Sequence, residues 1–253
     1  MKIRGTLTVA AAGLVLVLGD LIQRTVIAAI TRWVPSWRDR VLAGWQRGIA
    51  RLLLGLAAHV GGARIGALPR IPGRTGVLVL MNHQSLLDIP LAISSVETGN
   101  PRVVARARYT RGKPLISHWI RQYQYPTVDP GATTKTSLAE LGEAAARSHV
   151  PLIVYPEGTR SKDGGIRRFK KRGLRAILGG RTWEVWIMVV DGFWSIGRLE
   201  DFMANVGSVR ARTKAVGPFA SPADPDQVDG FIADMEDRMR STLQELRGEA
   251  APP

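Results

Sequence analysis

The chain has 253 residues and contains no cysteine. It therefore cannot form disulfides, attack a substrate with a thiol, or hold a metal through thiolates. Histidine is also scarce, and the four that are present lack the spacing of metal ligands: His59, His83, His118 and His149. We therefore expect no bound metal.

Acidic residues are too few to balance the basic ones, which leaves a formal net charge of +14. Such an excess implies an anionic partner, which can be nucleic acid, a phosphate-bearing substrate or an anionic membrane surface. Residues 1–70 carry ten Lys or Arg against two Asp, and they are also the most apolar part of the chain. Positive charge combined with long apolar segments favours a membrane surface over nucleic acid.

Thr6–Gly19 contains no charged residue at all. Its 14 residues fall short of the roughly 20 that a membrane-spanning helix needs. Extension to Ile30 supplies the length but includes Asp20 and Arg24, which are four apart and can pair along one helix. A secretory signal is disfavoured because no small-residue cleavage site follows. We predict a membrane-embedded helix or a re-entrant helical hairpin, with a buried hydrophobic helix as the alternative.

A second helix, which is amphipathic, is predicted from Arg38 to Val60. One face is apolar, and another face carries three arginines: Arg40, Arg47 and Arg51. With Trp33 and Trp37 just before it, this helix suits the headgroup zone of a bilayer, although its apolar face can equally pack on the rest of the protein. We assign residues 1–60 to membrane-anchoring and amphipathic helices, residues 61–247 to one α/β domain, and residues 248–253 to a disordered tail.

The remainder of the chain alternates between strand-like and helical patterns. Predicted strands lie at Val77–Met81, Arg102–Ala105, Val150–Tyr155, Trp183–Val190 and Ser208–Val216. Helical patterns lie between them at Leu86–Ser95 and Ile116–Gln122, and a capping-box pattern at Ser137–Glu140 opens a third. This alternation predicts an α/β fold with a largely parallel sheet flanked by helices.

A histidine and an aspartate follow the first long apolar run. His83 and Asp88 are five positions apart, which corresponds to about 140° of helical rotation, so they cannot share one helix face. They can meet only if His83 lies in the loop after the strand and Asp88 on the next helix. The carboxylate would then orient one ring nitrogen and leave the other free as a base. The alternative is an ordinary loop histidine and a first-turn helix charge.

A second polar cluster follows another predicted strand, and it comprises Glu157, Gly158, Thr159 and Arg160. From Arg160 to Arg172 there are seven Lys or Arg and one Asp. Glycine lets the backbone approach an anion closely, and arginine binds phosphate through its planar fork. Since both clusters follow strands, we expect them to line one crevice at the carboxyl end of the sheet.

The two clusters together make the chain resemble the glycerolipid acyltransferase family, whose type member acylates 1-acylglycerol-3-phosphate. The family's first block is Asn-His, four residues and Asp, present here as Asn82-His83 to Asp88. Its third block, Pro-Glu-Gly-Thr-Arg, is present as Pro156 to Arg160. The resemblance covers roughly residues 60–215.

This resemblance implies transfer of a fatty acyl group from a thioester, on coenzyme A or acyl carrier protein, to the hydroxyl of lysophosphatidic acid. The product would be phosphatidic acid, the thioester would be a co-substrate, and no cofactor or nucleic acid would take part. It implies His83 as the base and Asp88 as its orienting carboxylate, with substrate bound by Asn82, Glu157, Gly158, Thr159 and Arg160. It also implies a cytoplasmic-membrane enzyme whose active site faces the cytoplasm.

Two family blocks are altered in this chain. The second block usually ends in Asp-Arg, whereas here Asp129 is followed by Pro130, so Arg106 or Arg108 would have to bind the acceptor phosphate. The fourth block lacks its usual proline. Another lysophospholipid or a lyso-aminolipid therefore stays open as acceptor. Two rivals also stay open: a serine hydrolase using Ser85, and a non-catalytic basic protein that binds membranes or nucleic acid.

Overall fold

A computed structural model describes residues 2–131 and 134–248 of the protein. Its strands are β1 (Arg64–Ile65), β2 (Val77–Met81), β3 (Arg102–Val103), β4 (Ala105–Arg106), β5 (Thr127–Val128), β6 (Leu152–Val154), β7 (Glu184–Asp191) and β8 (Arg210–Ala220). Its α-helices are α1 (Lys2–Ile22), α2 (Ala28–Trp33), α3 (Arg38–Gly55), α4 (Asp88–Ser95), α5 (Ile116–Gln122), α6 (Lys135–Ala146), α7 (Lys171–Leu178), α8 (Leu199–Asn205) and α9 (Val228–Arg247). Gly248 ends α9 in a left-handed conformation, and the rest of the predicted disordered tail, residues 249–253, lies outside the described residues.

The main sheet has the strand order β1-β8-β7-β2-β6-β3, and β4 pairs with β5 in a small separate ladder. Every pairing between these strands is parallel except that of β7 with β8. The predicted α/β fold with a largely parallel sheet is therefore confirmed. The central strand β2 lies between β6 and β7, so its carboxyl end opens at the middle of the sheet edge.

Strand β2 is buried on both of its faces, which accounts for its unbroken apolar sequence. Because side chains alternate along a strand, Val77, Val79 and Met81 point to one core, while Leu78 and Leu80 point to the other. The first core is completed by side chains from α3, α4 and α5, and the second by side chains from α6, α7 and α9. The sheet is thus a middle layer between two helical layers.

The N-terminal apolar run forms one continuous helical stretch, since a π-helical turn at Gln23–Ile27 joins α1 to α2. The chain reverses only after Trp33, so no hairpin forms inside the run. Arg24 pairs with Asp20 at 2.8 Å, as the spacing predicts. This stretch is long and apolar enough to cross a membrane, although only 17% of its most apolar window is buried.

The inner face of α1 is docked on the rest of the protein. A Cβ added to Gly5 would lie 2.0 Å from the carbonyl oxygen of Met203, so only glycine allows this approach. Asp20 accepts a hydrogen bond from the backbone N–H of Leu115 at 3.0 Å, and the buried Gln23 side chain bonds to Gln122. The outer face is exposed and apolar: Ile3, Leu7, Leu14, Val17, Leu18, Leu21 and Val26.

Helix α3 continues through a π-helical turn to Val60, as predicted, but its arginines do not share one environment. Arg47 donates hydrogen bonds to the carbonyls of Glu97 and Gly99, at 2.7 and 2.8 Å. Arg47 thus binds a neighbouring loop, whereas Arg40 and Arg51 are exposed, and the predicted headgroup location of this helix stays a prediction. The apolar face of α3 packs into the core beside the sheet.

The predicted start of α6 is also corrected. Thr134, not Ser137, is the N-cap residue. The side chain of each of these two residues accepts a hydrogen bond from the backbone N–H of the other, which forms a capping box. Ser137 accepts from Thr134 N at 2.9 Å, a contact usually made by Glu or Gln at that position. The cap therefore lies at Thr134, three residues earlier than a Ser137-to-Glu140 box would place it, and the helix starts at Lys135.

Candidate active site

The site begins where β2 ends, at Asn82. The Asn82 side chain donates to the carbonyl of Val190 and accepts from its N–H, both at 2.8 Å. A side chain thus continues the pairing of β2 with β7 by one residue. The family resemblance groups Asn82 with the substrate-binding residues. In the structure its buried side-chain amide instead holds the backbone in place where the loop to His83 begins.

His83 and Asp88 meet as their spacing predicts. His83 lies in the loop, Asp88 is the first residue of α4, and His83 Nδ1 is 2.7 Å from Asp88 Oδ2. The same carboxylate oxygen accepts the backbone N–H groups of Gln84 at 2.5 Å and Ser85 at 2.7 Å. Asp88 is fully buried, whereas the His83 side chain remains 17% exposed. No residue in the described part of the chain hydrogen-bonds Nε2, so this nitrogen is open to a ligand.

The third-block segment holds the His83 backbone from both sides. Glu157 accepts the N–H of His83 at 2.9 Å, and the N–H of Ser161 donates to the His83 carbonyl at 2.7 Å. The imidazole stacks on the Tyr155 ring, with centroids 4.3 Å apart and planes 27° apart. The loop, the ring plane and the tautomer of His83 are therefore all set before any substrate arrives.

Glu157 is almost fully buried, and its second carboxylate oxygen accepts the N–H of Arg167 at 2.8 Å. Burial raises the pKa of this carboxyl to about 7, because desolvation outweighs the two backbone N–H donors that favour the charged form. Both oxygens are thus engaged by the protein itself. The sequence motif groups Glu157 with the substrate ligands, but its contacts make it the link between the His83 loop and the basic loop at Arg167.

The other members of the third block face the crevice. Gly158 adopts a positive φ of 68°, and its carbonyl accepts from Arg106 at 2.6 Å. Arg160 donates to the carbonyl of Gly197, and Thr159 is exposed beside it. The predicted pair of clusters is therefore brought together at one edge of the sheet, with Arg106 joined to them.

Arg108, the other candidate for binding the acceptor phosphate, donates to the hydroxyl of Tyr109 at 2.9 Å. This bond and the nearby charges of Arg106, Arg108 and Arg160 lower the pKa of Tyr109. The proline at position 130 is exposed and follows β5.

Ser85 is not placed as a nucleophile. It is fully buried, and its hydroxyl oxygen accepts the N–H of Leu87 at 3.0 Å. This contact gives no support to the serine hydrolase alternative.

Three other residues at the site carry no sequence signal, because the residues that they contact lie far away in the chain. Gln84 accepts a hydrogen bond from Phe193 N at 2.9 Å, and Tyr155 and Ser161 contact His83 as described. Only their position next to the two motifs could have indicated them.

Two cavities adjoin this edge of the sheet. An apolar cavity of about 330 Å³ lies between α1 and the α/β core and reaches Leu86 and Leu87, which follow His83 in its loop. A polar cavity of about 360 Å³ is bounded by Thr159, Arg160, Ser161, Lys162, Trp194, Gly197, Arg198 and Asp201. Arg198 lines both cavities, so its side chain is part of the wall of each. Their combined shape and polarity suit an amphiphile with a charged head.

Within residues 2–131 and 134–248, no group of three or more His, Cys, Asp or Glu side chains is arranged to hold a metal ion.

The fold and site together define an α/β protein with a carboxylate-oriented histidine at the carboxyl end of its central strand. Over residues 64–182 the chain matches the family model described as Acyltransferase. It is distantly homologous to 1-acyl-sn-glycerol-3-phosphate acyltransferases. The coconut (Cocos nucifera) enzyme is 30% identical over 121 residues, and the human (Homo sapiens) beta enzyme is 27% identical over 94 residues.

These alignments cover 47% and 37% of this chain and only 38% and 34% of the two relatives. The chain thus spans little more than a third of each curated relative. A solved structure gives a longer match: the 1-acyl-sn-glycerophosphate acyltransferase PlsC from Thermotoga maritima superimposes with a TM-score of 0.67 over 100% of both chains, at 19% identity. At this identity the likeness establishes the shared fold.

Proposed function

We propose that this protein transfers a fatty acyl group from a thioester to the free hydroxyl of lysophosphatidic acid, which gives phosphatidic acid. The observation that carries this proposal is the His83–Asp88 pair, 2.7 Å apart, whose loop reaches an apolar cavity at Leu86 and Leu87. Its backbone is also bonded to Ser161, which bounds the arginine-lined cavity. The names of the curated relatives support the same acceptor, 1-acyl-sn-glycerol-3-phosphate.

The reaction needs one base and no covalent enzyme intermediate, because a thioester is already activated. His83 Nε2 accepts the proton of the acceptor hydroxyl while that oxygen forms a bond to the thioester carbonyl carbon. The carbon–sulfur bond then breaks, and the leaving thiolate takes the proton from the imidazolium. Asp88 holds Nδ1 protonated, so that Nε2 is the basic nitrogen, and it stabilises the positive ring between the two steps.

Substrate binding follows from the two cavities. The apolar cavity is lined by α1, α5 and the Leu86–Leu87 loop, which suits an alkyl chain. Arg160, with Thr159 and Gly158 beside it, faces the polar cavity and can hold a phosphate, and Arg106 stands on the neighbouring side of Gly158. The donor would be an acyl thioester of coenzyme A or acyl carrier protein, and no cofactor is needed.

The proposed reaction can be tested with the purified full-length protein in detergent. Radiolabelled acyl-coenzyme A and acyl carrier protein thioesters would be offered with a panel of lysolipids and with monoacylglycerol. We expect lysophosphatidic acid to have the highest kcat/KM, since it alone presents a small phosphate monoester next to a free hydroxyl. A higher kcat/KM for another lysophospholipid or a lyso-aminolipid would replace the acceptor, and no transfer to any of them would refute the proposed activity.

We also propose that the protein is held at the cytoplasmic membrane with its active site facing the cytoplasm. The inner face of α1 is docked on the α/β core, and its outer face is a row of exposed aliphatic side chains, which suits insertion into lipid. Trp33 and Trp37, both exposed, stand at the end of this stretch, as interfacial tryptophans do. The lysolipid acceptor would then reach the cavity from the bilayer.

The full-length protein is expected to sediment with membranes, to stay there in 1 M salt (a concentration that screens charges beyond about 3 Å) and to be released by detergent. Changing Val17 and Leu21 to glutamate alters only the exposed face of α1 and should weaken this retention. Release of the unaltered protein by salt alone would show that charge, rather than the embedded helix, attaches it.

A further inference from the structure

The segment Gly197–Arg198 lies against both halves of the site, although it belongs to neither motif. A Cβ added to Gly197 would lie 3.1 Å from the carbonyl oxygen of Gln84, the residue after His83. The Gly197 carbonyl accepts the hydrogen bond from Arg160. Arg198 is therefore anchored, through its neighbour, within the same small region as the base and the third-block arginine.

Arg198 is part of the wall of both the apolar and the polar cavity. Its side chain has no hydrogen bond or ion pair to any residue that the structure describes, unlike that of Arg160, which is engaged with Gly197. The Arg198 side chain is also exposed. A long aliphatic stem along an apolar wall with a guanidinium in a polar pocket is the usual behaviour of arginine at such a boundary.

The charges around the polar cavity favour an anion. Arg160, Lys162 and Arg198 contribute three positive charges, and Asp201 contributes one negative charge. This net positive charge can be balanced by a ligand with about two negative charges, such as a phosphate monoester. At a boundary with an apolar cavity, that phosphate would belong to an amphiphile rather than to a fully hydrated small molecule.

We propose that Arg198 binds the phosphate monoester of the acceptor lipid together with Arg160, and so fills the role that position 130 cannot fill as proline. This inference rests on the proposed function and names a binding residue within it. The guanidinium would form a bidentate contact with two phosphate oxygens, while the acyl chain of the lipid extends past Leu199 into the apolar cavity.

The test measures binding and does not require turnover. Dissociation constants would be determined by titration calorimetry, in one detergent, for four probes: lysophosphatidic acid, monoacylglycerol of the same chain length, coenzyme A and inorganic phosphate. The variants are Arg198→Gln, Arg198→Lys and, as matched control, Arg147→Gln. Arg147 loses the same charge but is 69% exposed and lies near the opposite edge of the sheet, before β6.

We expect Arg198→Gln to raise the Kd of lysophosphatidic acid about tenfold or more, since it loses a charge-assisted bidentate contact. Arg198→Lys should give a smaller increase, because it keeps the charge and loses the fork. The Kd of monoacylglycerol should change little, and Arg147→Gln should alter no Kd. An increase that is equal for lysophosphatidic acid and monoacylglycerol, or confined to coenzyme A or inorganic phosphate, would overturn the assignment.

Failure of this assignment is distinguishable from failure of the proposed reaction. If the wild type transfers acyl groups and Arg198→Gln binds lysophosphatidic acid as tightly as Arg147→Gln does, only the role of Arg198 is refuted. If the wild type binds lysophosphatidic acid through Arg198 but transfers no acyl group, the binding site stands and the reaction is refuted. A wild type that does not bind lysophosphatidic acid overturns the site itself.

Discussion

Changing His83 to alanine is expected to lower kcat by about 10² to 10⁴, the range that a positioned general base contributes. The loss should leave KM for both substrates nearly unchanged, because neither cavity is lined by the imidazole. The protein should remain folded, since the loop is held through the His83 backbone by Glu157 and Ser161. Steady-state kinetics and the thermal unfolding midpoint would be measured on the same preparation.

Two further variants distinguish direct acyl transfer from the alternative of a serine hydrolase that uses Ser85. Asp88→Asn should also lower kcat severely, because a neutral amide next to Nδ1 no longer stabilises the positive ring that forms during proton transfer. Ser85→Ala is the control: the hydroxyl only accepts from Leu87 N, so most of the activity should survive. Loss of turnover in Ser85→Ala, or an acyl group trapped on Ser85, would refute direct transfer.

Changing Glu157 to glutamine is expected to reduce both stability and kcat. The carboxylate accepts from His83 N with one oxygen and from Arg167 N with the other. A glutamine offers one oxygen and one NH₂ group, so one of these buried N–H donors would face another donor. The cost is about 1–3 kcal/mol for a buried group left without its partner. If the N–H of His83 is the donor that loses its partner, the loop that carries the base loses a hydrogen bond and kcat falls as well.

The pH dependence of stability distinguishes this effect from a simple packing defect. The pKa of Glu157 is about 7 in the folded protein, against an ordinary value of 4.5. Between these values the folded state binds a proton that the unfolded state has lost, so this group's contribution to stability decreases as pH rises from about 4.5 to 7. The wild type should therefore lose stability relative to Glu157→Gln over that range, by chemical denaturation in detergent. A difference between the two that does not change with pH would contradict the burial argument.

The strand that carries the site was predictable because an unbroken run of five apolar residues is typical of a strand buried on both faces. The five-residue spacing of His83 and Asp88 likewise allowed only one way for them to meet. The contacts of Asn82 and Glu157 were not predictable. Their partners, Val190 and Arg167, lie outside the motifs, and no local pattern indicates that a buried side chain will bond to a particular backbone group.

Arg198 and the environment of Arg47 were missed for a related reason. Helical spacing places Arg47 on a face, but it cannot say which neighbouring loop will present carbonyls to that face. Arg198 belongs to no motif and lies beyond β7, so only the three-dimensional arrangement of the two cavities brings it to the site. The predicted boundary between residues 1–60 and 61–247 stays a prediction, and apolar residues from both parts share one core.

The burial of β2 on both faces has a consequence for hydrogen exchange. Amides in a strand that is paired on each side and covered by two cores exchange with deuterium only when the whole protein opens. His83 follows the end of that strand after a single residue, Asn82, so we expect the base to stand next to slowly exchanging backbone. We therefore expect the imidazole to keep its position while the lipid chains and exposed side chains such as Arg198 adjust around it.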